Sequence, residues 1–462
     1  MTTPTGLLFS CLLFATPLVA TPCLSQEAIE DPDQPEVSDD LGAAPLEGHS
    51  HMGESFNEGP RQAAYLMSDW DKVHFAVTTK EELAQRFFDQ GIGQLHGFWY
   101  LESERSFRQA AAIDPDCAMA YWGMAMANIE NGERAAAFAH EAYKRREAGD
   151  DREQRFIDAL ARYYDVDHLF KVKAEAEEME QDEAEAVEAE EVEYESAEED
   201  SAEEDSAEED SAEDAGESTE EVEEEPFDIE DREPAKDKER ANAFTKDLEE
   251  LLYEYPDDIE AKALLLNHLW YVRRKGIATP SRLANEALLQ QIFDVNPNHP
   301  AHHYRIHLWD SKDAGKRAVS SAANSGQTYP SVAHMWHMGG HIFASLGRHS
   351  DAAWQQEASA RTDHAYMMRD GILPDQIHNF AHNNEWLTRS LRNAGRITEA
   401  IDLAKNMIEL PRHPTYNHLE KGGCSSTYGR RRLVEAFELY ERWDQLIAAY
   451  GSSYLEPVDE PS

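Results

Sequence analysis

The stretch HMWHMGGHIF, residues 334–343, carries three histidines at offsets of three and four. On a helix, His334, His337 and His341 share one face, about one turn apart. That is how a single helix donates several nitrogen ligands to one metal ion. Two other runs have the same grammar: HPAHHYRIH, with His303 and His307 four apart, and HNFAHNNEW, with His378, His382 and Glu385. Thirteen of the 20 histidines fall between His299 and His418, so the enrichment is local. Imidazole suits Zn, Cu, Fe or Ni, and an added carboxylate tilts the choice toward Fe or Zn. The candidate metal ligands are therefore His303, His307, His334, His337, His341, His382 and Glu385, and the candidate ions Fe, Cu and Zn. Met335 and Met338 are turned away from the histidine stripe and belong in the core.

The elements that must position these rings are helices. Phe87, Gly91, Ser103, Phe107, Ala110 and Pro115 follow one another at intervals of 4, 12, 4, 3 and 5. A shift of 34 lands on Tyr121, Ala125 and Ala137. Small and aromatic residues recurring together at that period resemble tetratricopeptide units, pairs of antiparallel helices that stack into a solenoid. In the C-terminal half Trp336, Gly340, Phe343, Gly347 and Ala352 repeat 48 residues later as Asn384, Thr388, Leu391, Gly395 and Ala400. The same shift carries His334 to His382 and His337 to Glu385, so equivalent positions of neighbouring units both bear ligand atoms. With Trp336 and Gly340 at the helix crossing, the histidines are expected on the concave groove. His303 and His307 reach it from the preceding unit if the register slips by one residue. The expected fold is all-α, a helical-hairpin solenoid of five to seven pairs, ending in a capping helix with a polar outer face.

Composition divides the chain. Residues 1–20 hold an apolar run of signal-peptide length ending at Ala20, too short to span a bilayer. Export to the periplasm or beyond is therefore expected, and Pro22 before Cys23 argues against lipidation. Residues 21–60 read as a disordered acidic tether, containing the short pair His49 and His51. An N-terminal helical block at 61–172 and a C-terminal block at 239–455 flank a low-complexity insert, 173–238, in which SAEED occurs three times in succession. Such a segment cannot bury enough apolar surface to offset its ordering entropy. Residues 174–225 contain 29 acidic and no basic side chains, so the rest of the chain carries only −21 of the net −50. A moderately acidic folded part argues against nucleic acid as a partner. Cys117 and Cys424 match no metal or redox spacing and are expected as buried free thiols, although a bond between them is open to an oxidising compartment.

The histidine runs resemble those of a family of exported bacterial tetratricopeptide proteins, many from planctomycete-like organisms. HPAHHYRIH is similar to the family's HPGAxHYYIH but one residue shorter before His303. HMWHMGGHIFASLGRHSDA is similar to HLVHMPSHIYxRxGRYxDA, with Gly339 and Gly340 in place of Pro-Ser. AHNNEWL matches the third motif at His382, with Glu385 in place of its second histidine, and ERSFRQAAAIDPDCAMAYWGMA follows the front pattern. The resemblance covers roughly residues 80–165 and 240–410. It implies the fold, a shared histidine site and an acidic insert lying in a connection between helices; it implies no reaction. Two functions follow as expectations. One is an exported scaffold whose concave groove binds a protein or peptide and holds a metal ion. The other is a metal-dependent enzyme with Glu385 as ligand or general base.

Overall fold

The computed structural model describes residues 63–129, 131–166, 168, 234–274, 276–278, 281–377 and 379–456. The expected signal peptide and tether, with His49 and His51, lie outside the described residues, as do His378 and residues 173–233 of the acidic insert.

Sixteen α-helices and no strand occur among the described residues. They run in consecutive pairs: α1 (Glu82–His96) with α2 (Tyr100–Ile113), α3 (Ala118–Ala127) with α4 (Gly132–Arg145), and α5 (Asp151–Tyr164) with α6 (Pro234–Glu254). Then come α7 (Ile259–Arg274) with α8 (Arg282–Val295), α9 (His302–Trp309) with α10 (Val319–Thr328), and α11 (Ala333–Ser345) with α12 (His349–Asp370). The last two pairs are α13 (Phe380–Asn393) with α14 (Ile397–Glu409), and α15 (Ser425–Leu439) with α16 (Trp443–Ala449). This all-α helical-hairpin solenoid has eight pairs, beyond the expected five to seven. The extra pairs are those without the Gly/Ala crossing signature, such as α7 with α8. Helix α6 starts at Pro234 and packs on α5, so residues 234–238, expected in the acidic insert, are helical.

Small residues set the helix spacing. A Cβ on Gly91 would stand 2.6 Å from the Phe107 ring, and one on Gly123 would stand 2.5 Å from it. Phe107 is thus a wedge seated between α1 and α3 on two glycines. Local caps fix helix starts: Asp150 and Glu153 form a reciprocal capping box on α5. Met335 and Met338 are fully buried in the core, as their offsets require, and Cys117 and Cys424 are buried free thiols. The final hairpin exposes Glu438, Glu441, Arg442 and Asp444, as a polar cap would, but also Leu439, Trp443, Ile447 and Tyr450, which were not expected at the surface.

The array also curls onto its own beginning. Tyr329 lies in the hollow left by Gly93 and donates to the Gln90 carbonyl at 3.2 Å. Asp69 accepts from the Ser331 backbone N–H at 2.7 Å, and Tyr366 donates to Glu102 at 2.5 Å. Tyr329, Val332 and Met335 belong to the same hydrophobic cluster as α1–α3. The inner curve beside α1 is therefore filled by the chain itself. No helix is long and apolar enough to cross a membrane among the described residues.

A side chain at Gly93 must displace the Tyr329 ring, and overpacking of this kind costs about 1–3 kcal/mol. We expect Gly93→Val to lower the urea midpoint accordingly, whereas Gly422→Ala, with nothing within 4 Å of its Cβ, leaves it unchanged.

Candidate metal centre

Six of the seven candidate ligands converge. His303 and His307 come from α9, His334, His337 and His341 from α11, and His382 from α13. These are the first helices of three successive hairpins, so their inner faces line up side by side. The rings sort into two groups, His303–His307–His334 and His337–His341–His382, each with ligand nitrogens within 4.8 Å of one another. Helix α11 serves both, with the His334 and His337 rings stacked at 5.6 Å.

The hydrogen bonds decide which ring nitrogen is bare. His303 Nδ1 lies 2.6 Å from the backbone carbonyl of His96, which can only accept, so Nδ1 carries the proton. Its Nε2 lone pair then faces His307 Nε2 at 3.0 Å. Gln356 donates its Nε2 to the His337 carbonyl at 3.1 Å, which leaves its Oε1 to accept from His337 Nδ1 at 2.6 Å. Asp310 accepts from His341 Nδ1 at 3.1 Å. With both Nδ1 atoms donating, the Nε2 lone pair of His337 faces Nε2 of His341 at 2.8 Å, a separation at which the two nitrogens share either a proton or a cation. Two lone pairs at that distance repel unless a cation stands between or beside them. Nitrogens on one tetrahedral ion lie ~3.3 Å apart for a metal–nitrogen bond of about 2.0 Å. In the other group Asn379 donates its side-chain N–H to His334 Nδ1 at 3.3 Å, while His334 Nε2 is buried without a hydrogen-bond partner.

Burial keeps His303, His334 and His337 neutral. It pushes His303 down to about 4, and burial together with the neighbouring imidazoles drives His334 and His337 well below the ordinary histidine value. Such rings each keep one bare nitrogen with which to ligate at neutral pH.

Glu385 does not join them. Its two oxygens bind Arg431 at 3.2 Å and Arg432 at 2.6 Å, both on α15. The 48-residue shift places it correctly along α13 but turned toward the next hairpin, where two guanidiniums compensate the buried carboxylate. Trp386, one residue on and four from His382, takes the inner face and stacks on His341 at 4.3 Å. Trp270 lies 4.7 Å from His307, and Phe98 lies 4.3 Å from His303, ring centre to ring centre. None of these aromatics, nor Gln356 or Asp310, was singled out in the sequence. Phe98 carried a usable signal: counted from Phe87 and Gly91 it occupies the turn position of Gly347 and Gly395. Its φ of 58° is the left-handed value those glycines adopt, at 73° and 80°.

A third cluster, His96, Glu260 and His299, also meets the distance criterion for a metal site. Its hydrogen bonds close without one. His299 Nδ1 accepts from the Ala301 N–H at 2.9 Å, so its Nε2 donates to Glu260 at 3.0 Å. His96 Nε2 donates to the other Glu260 oxygen at 2.9 Å, and its Nδ1 accepts from Tyr304 at 2.7 Å. Burial would raise Glu260, but the two imidazoles outweigh it and hold the carboxyl well below its usual range. This network anchors the end of α1, whose last carbonyl orients His303.

No protein-family model matches the chain, and no curated protein does. Among solved structures, the tetratricopeptide (TPR) domain of P58(IPK) is 12% identical, with 82% of this chain and 94% of that one covered and a TM-score of 0.20. Yeast Tom70 is 9% identical over 84% of this chain and 69% of that one, with a TM-score of 0.31. At these values the likeness adds nothing to the fold that the helix pairs define on their own.

Behind the site, Asp363 on α12 accepts from Asn383 at 2.7 Å, and burial raises its pKa to about 7. The folded state thus holds a proton that the unfolded chain releases near pH 4, and stability falls as pH rises through about 4 to 7. We expect Asp363→Asn to raise the melting temperature at pH 8, and the gain to vanish below pH 4, in paired thermal scans.

Proposed function

We propose that this chain is an exported metal-binding helical-hairpin scaffold that carries two transition-metal ions, one in each three-histidine group. The Nε2 atoms of His337 and His341, facing each other at 2.8 Å, are the observation that carries the reading. Hydrogen bonding at Nδ1 of His303, His337 and His341 is the outer-shell support that metal-bound imidazoles require. The related bacterial motifs quoted above, and the apolar run at residues 7–20, support export and a histidine site shared with those proteins.

Each group offers three protein ligands. Structural zinc sites close with four, whereas sites that act on small molecules keep a position open. Four of the six rings, His307, His334, His341 and His382, are partly exposed, which leaves the centre approachable. These features favour a reactive centre over a metal staple, and with it a metal-dependent enzyme. The expectation of a protein or peptide ligand is a second part of the proposal. It is favoured by the exposed Leu439, Trp443, Ile447 and Tyr450 at the end of the array, because the inner curve beside α1 is already filled.

Elemental analysis of protein purified without a histidine tag tests the metal sites. We expect two ions per chain, one after His303→Ala with His307→Ala, and one after His337→Ala with His341→Ala. Glu385→Gln keeps both. Gln356→Leu, which frees the His337 ring to turn, weakens its site by roughly 10–100-fold. Full-length protein that folds normally yet retains no metal under any loading would overturn the proposal.

A further inference from the structure

We infer that the two histidine groups act together as one copper pair that binds dioxygen between its ions. The inference rests on the metal-site reading above and goes beyond it in naming the metal, the coupling and the ligand.

Adjacency comes first. His334 of one group and His337 of the other are three residues apart on α11, with rings stacked at 5.6 Å. Ions held by those two rings would be neighbours along α11, about one helical turn apart, and so placed for one diatomic ligand to bridge them. Each ion keeps an open position because three imidazoles do not complete its shell.

Charge selects the metal. All six ligands are imidazoles, which bring no negative charge to the ions they hold. Among the described residues, the carboxylate hydrogen-bonded to these rings is Asp310, on the outer nitrogen of His341. Glu385, the carboxylate nearest in sequence, is committed to Arg431 and Arg432. Two divalent ions would place four positive charges in a site whose ligands carry no negative charge of their own. Mutual repulsion scales with the product of the charges, so two monovalent ions repel one-quarter as strongly at the same distance. Copper is the imidazole-seeking metal of the candidate set with a monovalent state.

Dioxygen then fits without changing the total charge. Two cuprous ions give up one electron each, and dioxygen takes both to become peroxide bridging two cupric ions. The centre carries two positive charges before and after, and no proton or outside reductant enters the step. The aromatic surround of Phe98, Trp270 and Trp386 suits a small uncharged entrant.

The test loads the metal-free full-length chain with cuprous ion under argon and then admits air. We expect two coppers per chain, a near-ultraviolet peroxide-to-copper band that fades under vacuum, and a cupric spin-resonance signal far below the copper content. His382→Ala and His307→Ala, each at a partly exposed ring, should each remove the band and restore one full spin per remaining copper. Two bound coppers with full spin and no band would overturn the inference while leaving the metal sites standing, and so would retention of zinc with no uptake of copper. Retention of neither metal would overturn the site itself.

Discussion

The geometry of the histidine centre depends on where three protons are held. The carbonyl of His96, the amide oxygen of Gln356 and the carboxylate of Asp310 each take an Nδ1 proton, from His303, His337 and His341. Once those protons are held outward, the Nε2 lone pairs of His303 and His337 face the Nε2 atoms of His307 and His341. The proposed metal ions would complete that arrangement electrostatically. The same criterion separates the cluster of His96, Glu260 and His299, where each ring nitrogen already has a donor or acceptor role and a carboxylate balances the donors.

The three acceptors come from different parts of the chain, which makes the centre a property of the whole array. Gln356 stands on α12 and fits only because Gly340 on α11 has no side chain to collide with it. The His96 carbonyl is the end of α1, brought across by the packing of Tyr329 on Gly93 and held by the Tyr304–His96–Glu260 chain. Phe98 follows in a left-handed turn conformation that costs a bulky residue on the order of 1 kcal/mol. The corresponding turns at Gly347 and Gly395 avoid that cost. What Phe98 gains in return is contact with His303 and Trp270, at 4.3 and 4.5 Å between ring centres. The first hairpin thus supplies one wall of a site whose ligands all lie more than 200 residues away in sequence.

Much of this was readable from local periodicity, and the limits follow from the same cause. Offsets of three and four put His303 with His307, and His334 with His337 and His341, on shared helix faces. The 48-residue repeat then brought His382 alongside. Glu385 was misplaced because a repeat shift fixes position along a helix but not the competition for a side chain; Arg431 and Arg432 on α15 lie outside the compared units. Gln356 and Asp310 have no periodic signature, since an outer acceptor is defined by a contact between hairpins. The count of pairs ran short where helices such as α7 and α8 cross without the glycine and alanine pattern.

The division of six rings into two groups was not readable at all, and it changes the chemistry. A single ion with six imidazoles would be coordinatively full and inert toward added ligands. Two ions with three each are unsaturated and mutually repelling. His334 and His337 differ by about one helical turn, and that small axial step assigns one to α9 and the other to α13. The three-residue offset that looks like redundancy in the sequence is therefore what splits the centre.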